Sequence, residues 1–170
     1  MIELERTYLI KNIQSKINKC KSKEIIDIYF PKSSIHPTLR IIKSDDKFEI
    51  TKKELINGNS PHKEEQTIIL SEKEFNELKK VDGKILHKTR YYYNHKNKIA
   101  EIGIFQGNLK GLVLVDFEFE TNEQKNSFKI PYFCLVEVTN EEFLAGGMLC
   151  GKSYEEIEEK LKKFNYKKIE

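Results

Sequence analysis

The sequence predicts an α+β fold in which an antiparallel β-sheet carries most of the chain. Many short segments are rich in β-branched and aromatic residues, and turn residues separate them. Most of these segments alternate, so that apolar side chains fall on one face and ionisable side chains on the other. Three further stretches begin with helix-capping residues and continue with apolar residues at helical spacing. These observations indicate a sheet with one charged face and a few helices.

The predicted strands number eight or nine. Residues 39–43 and 47–53 form a hairpin around a Ser-Asp-Asp turn, and residues 54–63 predict a loop because they hold glycine, asparagine and proline. The lysine-rich stretch 11–24 is compatible with a short helix or a loop. Strands are predicted at 2–10, 25–30, 39–43, 47–53, 64–70, 87–93, 98–105, 111–120 and 133–139.

Helices are predicted at three places. Ser71 and Glu74 form a capping box, in which each side chain bonds to the backbone N–H of the other residue. A second capping box opens a C-terminal helix over residues 153–168. Residues 139–144 hold a capping threonine and two apolar residues of a short helix. The apolar stripes on these helices are expected to pack in the core.

Composition favours one cytoplasmic domain over residues 1–170. The chain is 38% hydrophobic and 34% charged, and its eighteen Phe and Tyr residues argue against disorder. A formal net charge of +3 is too small to favour binding to nucleic acid or to a membrane surface. The opening residues do not predict a signal peptide, and no apolar run has the length of a membrane span. Widely spaced Cys20, Cys134 and Cys150 indicate reduced thiols.

The alternating pattern leaves two architectures open. One is an open antiparallel sheet with helices on its apolar face and solvent on its polar face. The other is a closed barrel whose charged face lines a lumen. Such a lumen would hold carboxylates together with lysine and arginine, and it could accommodate a polyanion together with a divalent cation. On the pattern alone, the open sheet is favoured.

Six segments resemble, in chain order, the motifs of the CYTH superfamily, the triphosphate tunnel metalloenzymes. IELERTYLI resembles the ExExK strand, and LRIIK with DKFEITKK resembles the RIR hairpin. KEEQTIIL, KTRYYY, AEIGIFQGNLKGLVLVDFEFE and VEVTNEEF are similar to the four later motifs. This resemblance implies a closed eight-stranded antiparallel β-barrel with flanking helices. With the resemblance included, the closed barrel is favoured over the open sheet.

The resemblance also implies an activity. Members of the CYTH superfamily hydrolyse or cyclise a triphosphate with Mg²⁺ or Mn²⁺. The function that the resemblance implies is therefore metal-dependent hydrolysis of inorganic triphosphate or a nucleoside triphosphate. Two alternatives stay open, a non-catalytic module that binds polyphosphate or nucleotide and a class IV-type adenylate cyclase. The expected partner is a triphosphate-containing small molecule, and the chain is expected to be a monomer or a homodimer.

The matching positions assign the metal and phosphate sites. By resemblance, the metal ligands are Glu3, Glu5, Asp116 and Glu118, which alternation sends toward one face. The residues that match phosphate-binding positions are Arg40, Lys53, Lys88 and Arg90.

Two further acids match catalytic positions. Glu65 and Glu137 are expected to hold a second metal or to orient the attacking water. The chain departs from the motifs at Thr7, Ile42, Thr67 and Gly103, where relatives carry lysine, arginine, glutamate and aspartate.

Overall fold

The computed structural model describes residues 4–55 and 63–170, and these residues form one antiparallel sheet of nine strands. The strands are β1 (Glu5–Ile10), β2 (Ser22–Phe30), β3 (Leu39–Ser44), β4 (Lys47–Leu55), β5 (Lys63–Leu70), β6 (Lys84–His95), β7 (Lys98–Phe105), β8 (Val113–Glu118) and β9 (Cys134–Glu137). Neighbours in the sheet follow the order β5-β4-β3-β2-β6-β7-β8-β1-β9.

The predicted strands are present, with shifted ends. β2 begins at Ser22, inside the lysine-rich stretch, and the rest of that stretch holds a 3₁₀ turn at Ile17–Lys19. β4 continues to Leu55 and β5 begins at Lys63, so most of the predicted loop 54–63 lies outside the described residues.

The closed eight-stranded barrel is not confirmed. Among residues 4–55 and 63–170, β5 and β9 are the two ends of the sheet, and no ladder joins them. The sheet has nine strands in this part of the chain, one more than the expected barrel. β9 pairs with β1 over a short stretch, and the register shifts between Leu9 and Ile10. The α+β antiparallel architecture stands.

A helix after β5 and the residue that follows a second helix pack on the apolar face of the sheet. α1 (Glu72–Leu78) begins at the predicted capping box, where Glu74 N–H donates to Ser71 Oγ at 3.3 Å. It packs Phe75 against Phe48 of β4, with ring centroids 5.1 Å apart. α2 (Asn122–Ser127) was not predicted from the pattern, although Thr121 caps it by accepting a hydrogen bond from Gln124 N–H. Phe128 follows α2 and packs on Phe117 of β8.

The C-terminal segment is less helical than predicted. The predicted helix at 139–144 is a 3₁₀ turn at Glu142–Leu144, followed by α3 (Gly146–Leu149). α4 (Tyr154–Lys162) ends well before residue 168. Asn165 takes a left-handed conformation with φ 56°, which is typical of a residue just past a helix end.

The C-terminal segment packs against β2 and β6 in the middle of the sheet. A Cβ added to Gly146 would overlap the hydroxyl of Tyr29 on β2, and it would touch Leu86 of β6. Leu149 and Leu161 are fully buried in the same cluster. The glycine at position 146 therefore allows the segment to lie directly against β2 and β6.

The described helices are too short and too polar to cross a membrane. All three cysteines are free, and burial raises the pKa of Cys134 to about 12, so this thiol is protonated at neutral pH.

Candidate functional site

Carboxylates collect on one face of the sheet, where β7, β8 and β1 lie side by side. Residues that are directly opposed in an antiparallel ladder point to the same face. Glu5 is opposed to Glu118, and Glu101 is opposed to Asp116. Because Asp116 and Glu118 are two residues apart, all four side chains share this face. We call these four residues the carboxylate cluster, and we call the face that carries them the polar face.

The carboxylate cluster is held at its centre by a hydrogen bond. Thr7 of β1 is opposed to Asp116, and its hydroxyl donates to Asp116 Oδ1 at 2.7 Å. Burial, together with the negative charges of Glu118 and Asp116, holds the pKa of Glu101 above its ordinary value despite the nearby Arg90. Like charges opposed across a ladder destabilise a sheet, so the cluster favours a bound cation.

The predicted phosphate-binding residues lie on the same polar face. Strand registers place them on β3, β4 and β6, in phase with the carboxylate cluster. We call them the cation cluster: Arg40, Lys53, Lys88 and Arg90.

Three members of the cation cluster have acidic neighbours, and the widest of these pairs joins Arg40 Nη1 to Asp27 Oδ1 at 3.6 Å. Arg90 Nη1 lies 2.5 Å from Glu101 Oε2, which joins the two clusters. Lys53 Nζ lies 2.8 Å from Glu65 Oε2 on β5. Burial alone would raise the pKa of Glu65, but the hydrogen bond and charge of Lys53 hold it below its ordinary value. These pairs keep opposite charges in contact across neighbouring strands.

Lys88 differs from the other three, because it makes no ion pair within the described part of the chain. Its Nζ lies 5.6 Å from the ring centroid of Phe105. Burial, followed by the positive charge of Arg90, lowers the pKa of Lys88 to about 8. The charges of Asp27 and Asp116 oppose this shift, so side chains from several strands act on Lys88.

The two predicted catalytic acids do not lie together. Glu65 is on the polar face beside Lys53. Glu137 is opposed to Tyr8, and its Oε2 lies 3.4 Å from Arg6 Nη1 on the other face of the sheet. Tyr8 points away from the polar face, so Glu137 points away from it too, while Val138, which directly follows β9, is buried. The structure therefore does not bring Glu137 to the carboxylate cluster.

Of the predicted metal ligands, Glu3 lies outside the described residues. Glu5, Asp116 and Glu118 lie on adjacent strands. Within residues 4–55 and 63–170, no three His, Cys, Asp or Glu side chains converge as a metal site does. The donor set nonetheless suits Mg²⁺ or Mn²⁺, because Mg²⁺ needs only one or two carboxylates and completes its octahedron with water and phosphate oxygens.

Two polar residues of this face escaped the sequence analysis. Asp27 stands in the middle of the apolar strand β2, in phase with Tyr29, and it is 1% exposed. Tyr29 accepts a hydrogen bond of 2.9 Å from Arg40 Nη1. A charged residue within an otherwise β-branched strand was the available signal for Asp27.

The departures from the motifs leave identifiable gaps on the polar face. Thr67 is opposed to Thr51, and their hydroxyl oxygens are 3.4 Å apart. A Cβ added to Gly103 would lie 3.5 Å from Lys88 Cδ, which is an ordinary contact. Ile42 is opposed to Asp27 and offers it no hydrogen bond. These positions therefore lack the charges that the motifs carry.

Solved structures share this fold. The inorganic triphosphatase NE1496 is 21% identical over 88% of this chain and 95% of its own, with a TM-score of 0.65. A candidate adenylate cyclase from Bacillus halodurans is 15% identical over 99% of this chain and 92% of its own, with a TM-score of 0.56. A candidate adenylyl cyclase from Hippeastrum, described with a dominant triphosphatase activity, is 12% identical over 96% of this chain and 88% of its own, with a TM-score of 0.52.

No protein-family profile and no curated protein sequence matches the chain. Identities of this size establish the fold and leave the activity to the site. The likenesses show that the chain shares the fold of these proteins.

Proposed function

We propose that this chain, which shares its fold with an inorganic triphosphatase, hydrolyses a triphosphate on the polar face with the help of a divalent metal ion. The observation that carries the proposal is the division of this face into two adjoining clusters. One cluster is made of carboxylates, which suit a metal ion, and the other is made of lysine and arginine, which suit phosphates. The Arg90–Glu101 pair joins them, so a metal and a triphosphate would be neighbours.

The cation cluster would bind and neutralise the triphosphate. Arg40 and Arg90 can each offer a two-pronged fork to phosphate oxygens, and Lys53 and Lys88 add point charges. Phosphoryl transfer needs positioning and charge neutralisation more than covalent help from the protein. Because Arg90 contacts Glu101 and Lys53 contacts Glu65, a bound phosphate would exchange places with these carboxylates.

The carboxylate cluster would hold the metal through Glu5 and Glu118, which face each other across the β1–β8 ladder. Asp116 has one oxygen bonded to Thr7, and this bond fixes the direction of its carboxylate. A bound Mg²⁺ or Mn²⁺ would supply Lewis-acid stabilisation of the phosphates and a more acidic water. Glu65 would orient Lys53, and we retain the catalytic role of Glu65 as a proposal.

We also propose that the polar face is the wall of a tunnel. Burial is the main cause of the lowered pKa of Lys88 on β6, which supports a sheet that curls around this side chain. The C-terminal segment packs against the same face at Tyr29 and Leu86.

The test is phosphate release from inorganic triphosphate, ATP and long-chain polyphosphate, with Mg²⁺, with Mn²⁺ and with EDTA. Metal-dependent release is expected, and Glu5→Gln is expected to abolish it while the circular dichroism spectrum stays unchanged. Glu24→Gln is the matched control, because Glu24 is an exposed carboxylate on the outer face of β2 and pairs with His87. Undiminished release by Glu5→Gln would overturn the metal assignment.

Two other functions give distinct results in the same experiment. Residues Thr7, Thr67 and Gly103 lack the charges of the motifs, which favours a binding module as the second candidate. Such a module would bind triphosphate in calorimetry and release no phosphate. A cyclase would convert ATP into cyclic AMP and diphosphate, which product analysis distinguishes from ADP and phosphate.

A further inference from the structure

Asp27 is the most buried charged residue in the described part of the chain. Its side chain is 1% exposed, and neither carboxylate oxygen has a hydrogen-bond partner among the described residues. The closest cationic atom is Arg40 Nη1, 3.6 Å from Oδ1, and that nitrogen donates its hydrogen bond to Tyr29 instead. Native proteins seldom leave a buried carboxylate in this condition without a functional reason.

The sheet places Asp27 midway between two cations. β2 lies between β3 and β6, and Asp27 is opposed to Ile42 on one side and to Leu86 on the other. Arg40 is two residues from Ile42, and Lys88 is two residues from Leu86, in opposite directions along the sheet. Asp27 is therefore a diagonal neighbour of both cations, at a separation that long side chains span.

The environment of Asp27 excludes a metal site there. Arg40 and Lys88 are cationic, and their charges would repel a divalent ion. The carboxylate also differs from Glu65 and Glu101, which make contact ion pairs of 2.8 Å and 2.5 Å with members of the cation cluster. A phosphate that binds at those pairs must first displace a carboxylate, whereas no such displacement is needed beside Asp27.

We propose that Asp27 is a positioning residue of the triphosphate site: its buried carboxylate balances Arg40 and Lys88 from beneath and leaves their donors available to phosphate. This inference rests on the proposed function. Asp27 itself does not touch the triphosphate. Its negative charge keeps Lys88 protonated and offsets the permanent charge of Arg40 before the ligand arrives.

The first measurement uses the protein without any ligand. Lysine side chains labelled with ¹³C are titrated by NMR, and Lys88→Arg identifies the signal of Lys88 by removing it. The charged groups that act on Lys88 include Arg90 on its own strand, Asp27 on β2, Arg40 on β3, Glu101 on β7 and Asp116 on β8. Asp27→Asn removes one of these negative charges, so the titration midpoint of Lys88 is expected to fall below that of the unsubstituted protein.

The second measurement is the calorimetric affinity for inorganic triphosphate in EDTA at pH 7 and pH 9. The loss of affinity between these pH values is expected to be several-fold larger in Asp27→Asn than in the unsubstituted protein, because less Lys88 is protonated. Glu24→Gln, on the outer face of the same strand, is expected to behave like the unsubstituted protein in both measurements.

The outcomes separate this inference from the proposed function. The positioning role is overturned if the titration midpoint of Lys88 is the same in Asp27→Asn as in the unsubstituted protein. It is also overturned if the two proteins lose the same amount of affinity between pH 7 and pH 9. A shifted midpoint in a protein that does not bind triphosphate overturns the proposed function and the role of Asp27 in it. If Asp27→Asn fails to fold, Asp27→Leu removes the charge without leaving an unsatisfied amide and gives the same comparison.

Discussion

The two clusters of the polar face hold opposite charges, and they differ in how far those charges are paired within the protein. Arg90 and Lys53 contact carboxylates, and Arg40 lies beside Asp27. In the carboxylate cluster, acids are opposed to acids on adjacent strands, so the protein itself supplies little positive charge beyond Arg90. The cation cluster is therefore nearly neutral before a ligand binds, whereas the carboxylate cluster remains in need of a cation. This difference predicts that anion and metal binding respond to different substitutions.

The largest expected effect comes from breaking the link between the clusters. Arg90→Met removes a phosphate fork and leaves Glu101 half-buried without its partner. Charge-assisted hydrogen bonds contribute about 1.5–3 kcal/mol, so the Kd for inorganic triphosphate should rise roughly 10- to 100-fold. Calorimetry in EDTA measures this change, with Lys43→Met on the exposed outer face of β3 as control. An unchanged Kd would remove Arg90 from the phosphate site.

The next effect sharpens the contrast between Lys88 and its paired neighbours. The pKa of Lys88 is about 8, so the side chain is protonated at pH 7 and loses its charge as the pH rises through 8. The affinity for triphosphate should therefore be highest below pH 7 and fall by about tenfold above pH 9. In Lys88→Arg the guanidinium stays charged, and the alkaline decline should disappear. A decline that persists in Lys88→Arg would assign the titration to another group.

A smaller effect follows from adding a carboxylate to the cation cluster. The space around Gly103 admits a Cβ at normal contact distance from Lys88, so Gly103→Asp should fold. The new charge should raise the pKa of Lys88 and weaken triphosphate binding at pH 7 by a few-fold, about 1 kcal/mol. NMR titration and calorimetry report the two changes, and Gly103→Asn controls for size. A lowered midpoint in Gly103→Asp would contradict the placement of this residue beside Lys88.

The smallest expected effect tests the carboxylate cluster alone. Thr7→Val keeps the shape of the side chain and removes its hydrogen bond to Asp116. The free energy of unfolding should fall by about 1 kcal/mol, as measured by urea denaturation. Triphosphate affinity in EDTA should stay within twofold, because the cation cluster is untouched. A large loss of that affinity would show that the clusters are not independent.

Much of this arrangement could be predicted from alternation. Strand phase placed Glu5, Asp116 and Glu118 on one face, and the ladders show them together. Phase alone did not say which face of β9 points inward, and the ladder with β1 assigns Glu137 to the face that carries Tyr8 and Arg6. That assignment depends on the pairing of β9 with β1, which is tertiary information.

Other features depend on contacts that a sequence pattern does not contain. In the sequence, Asp27 is a single charge inside an apolar strand. Its relation to Arg40 and Lys88 becomes visible only from the strand registers, which make both cations its diagonal neighbours. α2 begins at a single capping threonine without an apolar stripe, so periodicity gave no signal for it. The closure of a barrel depends on sheet curvature, and alternation is the same in open and closed sheets.

The glycine at position 146 gives the C-terminus a mechanical connection to the charged site. Because it lacks a side chain, the segment that contains it rests on Tyr29, and the Tyr29 hydroxyl in turn holds the guanidinium of Arg40. The last thirty or so residues of the chain thus brace a group that lies far from them in sequence. If the C-terminus were shortened or loosened, the Arg40 side chain would lose its fixed position before any strand of the sheet unfolded.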